Sequence, residues 1–515
     1  MPVYLTPGVY IEEIERGPRP IEGVPTSIAA FLGEAQRGPT KPILVTSYRE
    51  YQRWFGGIFG PPDHYLPYAV NGFFENGGQD LYVCRIVGQT AVAATLAAFG
   101  DFTVNAVGAG TFGNQVWVAI EDSTTKVKNV PVGFRVKVAY WTTLPPGGAF
   151  DPFDPANWRN PNPPTLTENF DDLSIDPMSV DYYDKRLKDN SALITLIRTK
   201  GINTKPTNNK GLLAGGKDDP NPLTKPDFVG DLAGARTVLQ GLTALTLDPY
   251  RDVSLVHAPY PVSDQVNINL EIINHCELNR FRFAVVDCDP NTSDVAKLDP
   301  RTTIADTEYA AFYYPWVWIS DPQSGARKLV PPSGYALGVY ARVDSTRGVY
   351  KAPANETPMG VVQLEFDIND GKQGQLNPRG VNCYRSFAGR GILIWGARTL
   401  SSNTLWKYIS VRRLFIFLER SIYEGTQWVV FEPNDQKLWA RVKDSIRLFL
   451  RTQWRAGALM GTKEEDAFFI TCDRTTMTQD DILNGRLICE IGIAPTRPAE
   501  FVIFRIFQNT AEPQS

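Results

Sequence analysis

The spacing of apolar and polar positions changes several times along the chain. Near the start, PGVYIEEIERGPRP sets Val9 and Ile11 on one side of an extended segment and Tyr10 on the other, between Pro7 and the breakers Gly17, Pro18 and Pro20. This predicts a short strand with no run within turn distance to pair as a hairpin. SIAAFLGEAQRG predicts a buried strand from Ile28 to Leu32, and SYREYQRWFGG a helix capped by Ser47 and stopped at Gly56-Gly57. A second helix, a break at Asn76-Gly77-Gly78 and a strand from Leu81 to Val87 follow. From about Phe102 to Leu144, alternating β-branched runs such as NQVWVAIE and FRVKVAYW predict an antiparallel sheet. Pro145 to Pro164 and Thr199 to Pro226 read as boundaries or surface loops. Between Ala233 and Asp289 the order helix, strand, helix, strand predicts a small α/β domain with parallel strands. From Gly380 onward come a strand (ILIWGA), two long helices and the strands FFITCD, RLICEIGIA and FVIFRIFQ. These are expected to complete the layer begun at residue 26, with the middle domains inserted into it.

Composition narrows the classes. A chain of 515 residues exceeds the size of one growing core and predicts two to four domains. Its 39 Pro and 42 Gly suit many turns, and its net charge of −4 argues against general nucleic-acid binding. Glu12, Glu13 and Glu15 interrupt any leader-like apolar run, and no stretch is long enough to span a bilayer, so synthesis and folding in the cytosol are expected. The six cysteines (Cys84, Cys276, Cys288, Cys383, Cys472, Cys489) form no CxxC pair, which favours buried free thiols over disulfides or a zinc site.

The motifs that promise chemistry are incomplete. Gly108 to Gly113 spell GxGxxG, but a dinucleotide site needs a helix N-terminus next, and Asn114 to Ile120 favour a strand. Asp287, Asp289 and Asn291 fit the first, third and fifth places of a calcium loop, whereas Thr292 and Leu298 stand where glycine and glutamate are required. Gly215-Gly216-Lys217 lacks the spacing of a phosphate loop, and His64, His257 and His275 have no carboxylate at a motif spacing. No catalytic residue, cofactor or metal site is assigned, and an enzyme is not expected.

Charge is the stronger signal. In QKLWARVKDSIRLFLRTQWRAG, Lys443, Arg447, Arg451 and Arg455 recur every four residues, with Lys437 and Arg441 beside them, opposite an apolar side of Leu438, Trp439, Val442, Ile446, Phe449 and Leu450. Like charges at this spacing repel by a few tenths of a kcal/mol per pair, and only Asp435 and Asp444 offset them locally. Either the stripe is a solvated face, or it meets an acidic partner surface. Nucleic acid is the competing partner, but no aromatic residues interleave on the exposed side.

The stretches PGVYIEE, FLGEAQRGP, GTFGNQ, ENFDDLS, LLAGG, PPSGYALGVYARVDSTRGVYKAPANE, LNPRGVN, WGARTL and IAPTRPAEFVIFRIFQ, in this order, resemble the tail sheath protein family of contractile phage tails, R-type pyocins and extracellular contractile injection systems. Gly338 to Asn355, Trp395 to Leu400 and Pro495 to Phe501 carry the most specific parts of the likeness. The resemblance implies an α+β or α/β multidomain fold, its core domain made from the N- and C-terminal segments, with β-rich and α/β domains inserted. On that basis residues 1–25 are an N-terminal arm, 26–92 and 376–498 the two parts of the core, 93–225 a β-rich insertion, 226–375 an α/β insertion, and 499–515 a C-terminal arm. The resemblance also implies that Val9, Tyr10, Ile11, Glu12 and Glu13, with Phe501, Ile503, Arg505 and Phe507, pair with neighbouring subunits; docking on the chain's own subunit is the alternative for either strand. Lys443, Arg447, Arg451 and Arg455 become the candidates that face an inner tube. The implied role is mechanical: stacked helical rings of this chain around an inner tube, bounded by baseplate and cap proteins, contracting to drive the tube through a membrane. Neither direct nucleic-acid binding nor membrane insertion by this chain is implied. Assembly in the cytoplasm is expected, in a phage tail or in an injection particle released from the cell. A non-contractile shell protein and a nucleotide-binding α/β enzyme are the alternatives.

Overall fold

The computed structural model describes residues 20–60, 64–199, 204–230, 240–259 and 265–505. The expected strand Val9 to Glu13 and Phe507 lie outside these residues. The chain divides into two compact units, one of residues 25–412 and one of residues 1–24 with 413–515.

The larger unit is built on an eight-stranded sheet. Its strands are β1 (Ala29–Gly33), β2 (Ile43–Val45), β3 (Leu81–Arg85), β4 (Leu255–His257), β5 (Phe283–Asp287), β6 (Ala310–Tyr314), β7 (Val381–Phe387) and β8 (Gly391–Trp395), in the order β2-β3-β1-β4-β5-β6-β7-β8. All inner pairs are parallel and the two edge pairs antiparallel. AAFLG, FAVVD and AAFYY are buried at every position, as parallel strands covered on both faces must be.

This order corrects the expected partition. Segments 26–92 and 226–375 were expected in separate domains, yet β4, β5 and β6 lie between β1 and β7 in one sheet. The second core part is divided too, since β7 and β8 close this sheet while residues from 413 belong to the other unit. Parallel neighbours are joined by long crossovers, so adjacency in sequence does not reveal adjacency in the sheet.

On one side of the sheet, helix α1 (Leu66–Glu75) packs against α3 (Ser333–Arg347). A Cβ on Gly338 would stand 2.5 Å from both the Phe73 carbonyl and Asn76 Cβ, so only glycine permits this crossing. Asn76 fastens the same corner, donating to Gly72 O at 2.9 Å and accepting from the Met359 amide at 2.7 Å. Helix α2 (Gln265–Asn279) contributes Ile268, Ile272, Ile273 and Cys276 to a core that also contains Ala284, Val286 and Phe312 of the sheet.

Between β3 and β4 the chain makes two antiparallel sheets around a core of their own. One orders 166–173, 134–140, 116–122 and 209–212; the other orders 194–198, 102–106 and 95–99. The smaller unit contains helix α5 (Gln436–Arg455), most of α4 (Ile409–Gly425), and a two-stranded antiparallel sheet of Phe468–Thr471 and Glu490–Ile493. Phe417 and Phe449 join the two helices, with ring centroids 5.9 Å apart.

Candidate functional site

Helix α5 starts where Asp435 accepts the Leu438 amide at 2.8 Å. It buries Leu438, Trp439, Val442, Ser445, Ile446, Phe449 and Leu450, the apolar side predicted from periodicity. The basic stripe lies outside this seam, but its charge is offset by a residue that periodicity does not reveal. Glu464, thirteen residues beyond Arg451, accepts from Arg451 Nε at 2.6 Å and Nη2 at 3.3 Å, and Arg447 Nε stands 3.5 Å away. Hydrogen bonding from Arg451, with Arg447 and Arg455 adding their fields, holds the Glu464 carboxyl below the usual range. The expectation that only Asp435 and Asp444 offset the stripe is therefore corrected. Arg447 and Arg455 remain exposed at this end of the helix. Arg441 lies over the Trp428 ring at 4.6 Å, and Lys443 is half-buried.

Beside this helix the two-stranded sheet has open edges along its strands, although Leu459 bridges Pro495 just beyond Ile493. Among the described residues, no further strand joins Phe468–Thr471 or Glu490–Ile493. A two-stranded ribbon is marginal alone, and an unpaired edge is a template for another strand. Phe469 is 59% exposed on it. The chain then leaves through Phe501, Val502, Ile503, Phe504 and Arg505, which are exposed and have no strand pairing here, although the sequence predicts a strand. Extended apolar residues need a partner to complete a ladder, and the described part of the chain supplies none.

The other candidates resolve into structural roles. The GxGxxG run leads through one 3₁₀ turn, Thr111–Gln115, into the strand Val116–Asp122, as the residue pattern predicts. Buried Arg85 donates to Gly38 O at 2.9 Å, Ala109 O at 2.7 Å and Ala35 O at 3.1 Å; a Cβ on Gly108 would meet Gly38 O at 2.1 Å. The Thr111 amide, which a phosphate would need, already donates to Asp218 Oδ1 at 3.0 Å. Asp287 points into the core and accepts the Ser333 amide at 2.9 Å, so it does not belong to an exposed calcium loop. Among the described residues no group of three or more His, Cys, Asp or Glu is placed to hold a metal ion.

His257 of β4 and Asp287 of β5 form a fully buried pair, with Nε2 and Oδ2 3.6 Å apart, too far for a direct hydrogen bond. His257 Nδ1 donates to Val285 O at 2.8 Å, leaving Nε2 without a proton. Burial pushes the Asp287 carboxyl up to about 7 and the imidazole down to about 4. The signs oppose. The histidine costs stability as pH falls from about 6.5 to 4, where only the unfolded chain binds its proton; the aspartate costs stability as pH rises from about 4 to 7, where only the folded chain keeps one. Asp287→Asn retains the acceptor for Ser333 and offers an N–H toward Nε2. It is expected to melt above wild type at pH 8, by on the order of a few kcal/mol, with the gap closing toward pH 5. Thermal melts across this range check it, and a variant less stable than wild type at pH 8 defeats the explanation.

Residues 233–400 match the phage tail sheath protein central domain, and residues 401–509 the phage tail sheath C-terminal domain. The tail sheath protein of Burkholderia phage BcepMu is 28% identical over 300 residues, covering 55% of this chain and 61% of that protein. That of Salmonella phage ViI is 24% identical over 199 residues, covering 38% and 31% respectively. The aligned stretches thus span about three fifths and about a third of these curated relatives. Among solved structures, the contracted sheath complex of the PVC extracellular contractile injection system aligns over 99% of both chains with a TM-score of 0.60 at 24% identity. The contracted helical sheath of the anti-feeding prophage aligns over 98% of this chain and 100% of that one, with a TM-score of 0.59 at 23% identity. The sheath tail protein of Listeria innocua aligns over 93% and 96% with a TM-score of 0.56 at 12% identity. These likenesses establish a shared fold over nearly the whole chain.

Proposed function

Because the chain belongs to the tail sheath protein family, its matches to the central and C-terminal domains adjoining over residues 233–509, we propose that it is the structural subunit of a contractile sheath. Copies polymerise as stacked helical rings around an inner tube, in an extended state that shortens and drives the tube through a target membrane. The observation that carries this reading is the open two-stranded sheet beside an exposed apolar C-terminal segment. Strands donated by neighbours, Val9 to Glu13 from one end and Phe501 to Phe507 from the other, satisfy such edges without a deep pocket. Joined strands stay paired while the linkers around them bend, so the lattice changes without falling apart.

Contraction needs no nucleotide if the short lattice lies lower in free energy. A bias of about 5.5 kcal/mol turns a 1:99 population into 99:1, and coupled subunits reach it when each contributes a fraction. The exposed guanidinium groups of Arg447 and Arg455 suit contact with the tube, because a solvent-screened polar contact holds before firing and releases during it. The β-rich segment 93–225 is proposed to lie away from the tube. Assembly takes place in the cytoplasm, between a baseplate and a cap, in a phage tail or a released injection particle.

Co-expression with its tube protein should give striated cylinders in long and short forms under negative stain. Arg447→Glu with Arg455→Glu, which leaves the Arg451–Glu464 pair in place, should reduce tube-bound extended particles at least tenfold without changing the melting temperature. Wild-type yields of extended particles from this variant reject the tube contact, and rods of one fixed length reject contraction.

A further inference from the structure

We propose that Cys472 and Cys489 are a redox-active dithiol, which a low-molecular-weight disulfide of the glutathione class converts into an intrachain disulfide across the open sheet. The register places them opposite each other. Phe468 pairs with Ile493, Phe469 with Gly492, Ile470 with Ile491 and Thr471 with Glu490, and one further step brings Cys472 to Cys489. Ala494 N donates to Ala467 O at 2.9 Å, so 467 and 494 occupy a hydrogen-bonded position of the ladder. Hydrogen-bonded and non-hydrogen-bonded positions alternate, and five steps on 472 and 489 fall at a non-hydrogen-bonded one. There opposed Cα atoms approach to about 4.5 Å, within the range of about 4.4–6.8 Å that disulfides span.

The connection between the strands is itself braced. Thr476 Oγ1 donates to Ile488 O at 2.9 Å, and Arg486 Nε to Asp481 Oδ1 at 2.9 Å, so the two cysteines are held at the mouth of an ordered loop. The neighbouring Cys489, aided by the Lys443 ammonium, holds the Cys472 thiol below its ordinary value against the opposing effect of burial. Cys472 and burial in turn push the Cys489 thiol up. Cys84, Cys276, Cys288 and Cys383 differ, since burial pushes each thiol up and away from reactivity.

The step balances as thiol–disulfide exchange. Cys472, the thiol held lower, attacks the small disulfide as its thiolate and expels one small thiolate. Cys489, the more accessible sulfur, gives up its proton to the departing thiolate or to solvent and attacks the Cys472 sulfur of the mixed disulfide, and the second small thiolate leaves. Two protein thiols are oxidised and one small disulfide is reduced to two thiols. In a reducing cytosol the pair stays open, and in a released particle it closes and ties the sheet together; this consequence rests on the sheath reading, whereas the chemistry does not.

The test uses the full-length native protein exposed to glutathione disulfide, quenched in acid, unfolded, and labelled with a maleimide for mass spectrometry. Reactive thiols should fall from six to four, with a proteolytic fragment linking Cys472 to Cys489, and dithiothreitol should restore six. Cys472→Ser and Cys489→Ser should each abolish the linked fragment. Six thiols after exposure, a glutathione adduct that persists at either cysteine, or a link between any other pair overturns the proposal. The wild-type count decides the matter even if a variant does not fold, and it is independent of whether cylinders form.

Discussion

Removing residues 499–515, or residues 1–19, is expected to yield a folded, soluble monomer that builds no cylinders at any concentration tested. Phe501, Ile503 and Arg505 bury little in their own subunit, with Ile503 76% exposed. In the smaller unit Leu438, Trp439, Val442, Ile446, Phe449 and Leu450 of α5 are buried, as are Leu414 and Leu418 of α4. Loss of the exposed stretch Phe501 to Arg505 therefore takes little from the monomer, while the assembly loses the ladder that would satisfy one sheet edge. Sedimentation velocity reads the loss of polymer, and melting temperature reads the retained fold. Truncated chains that still form cylinders able to shorten would end the strand-donation account, whereas an unfolded truncation would place the tail on its own subunit.

Gly338→Val is expected to prevent the larger unit from folding stably. The new Cβ would stand 2.5 Å from a carbonyl oxygen of α1, and backbone cannot swing aside as a flexible side chain can. Forcing one extra methylene group into a packed core typically costs about 1–3 kcal/mol; here a whole helix crossing must open, and valine adds two methyl groups beyond the Cβ. Gly338→Ala should cost about 3 kcal/mol, at the upper end of that range. Gly374→Ala is the matched control: it also lies in a helix, nothing stands within 4 Å of its Cβ, and it should be neutral or gain about 0.4–1 kcal/mol. Denaturant unfolding of the three variants measures the contrast. Equal stability of Gly338→Ala and Gly374→Ala would show that the helices can separate at little cost.

Much of the local structure was legible because it depends on neighbours in sequence. The predicted Ser47 cap is present, its hydroxyl accepting the Glu50 amide at 3.2 Å. The apolar side of α5 follows from a repeat of about 3.6 residues, and the strand after the glycine run follows from the alternation of the residues from Val116.

The sequence alone determined the strand near Ala29, the helix behind Ser47, which side of α5 is buried, and, through an ordered set of motifs, the family. Only the tertiary structure decided that β4, β5 and β6 stand between β1 and β7, that Glu464 meets Arg451, and that Cys472 faces Cys489. Helix periodicity and capping are set by residues within one or two turns, so they can be read along the chain. Strand order, ion pairing and cross-strand register arise when distant segments bury their faces together, and the chain between them leaves no trace of that choice in spacing or composition.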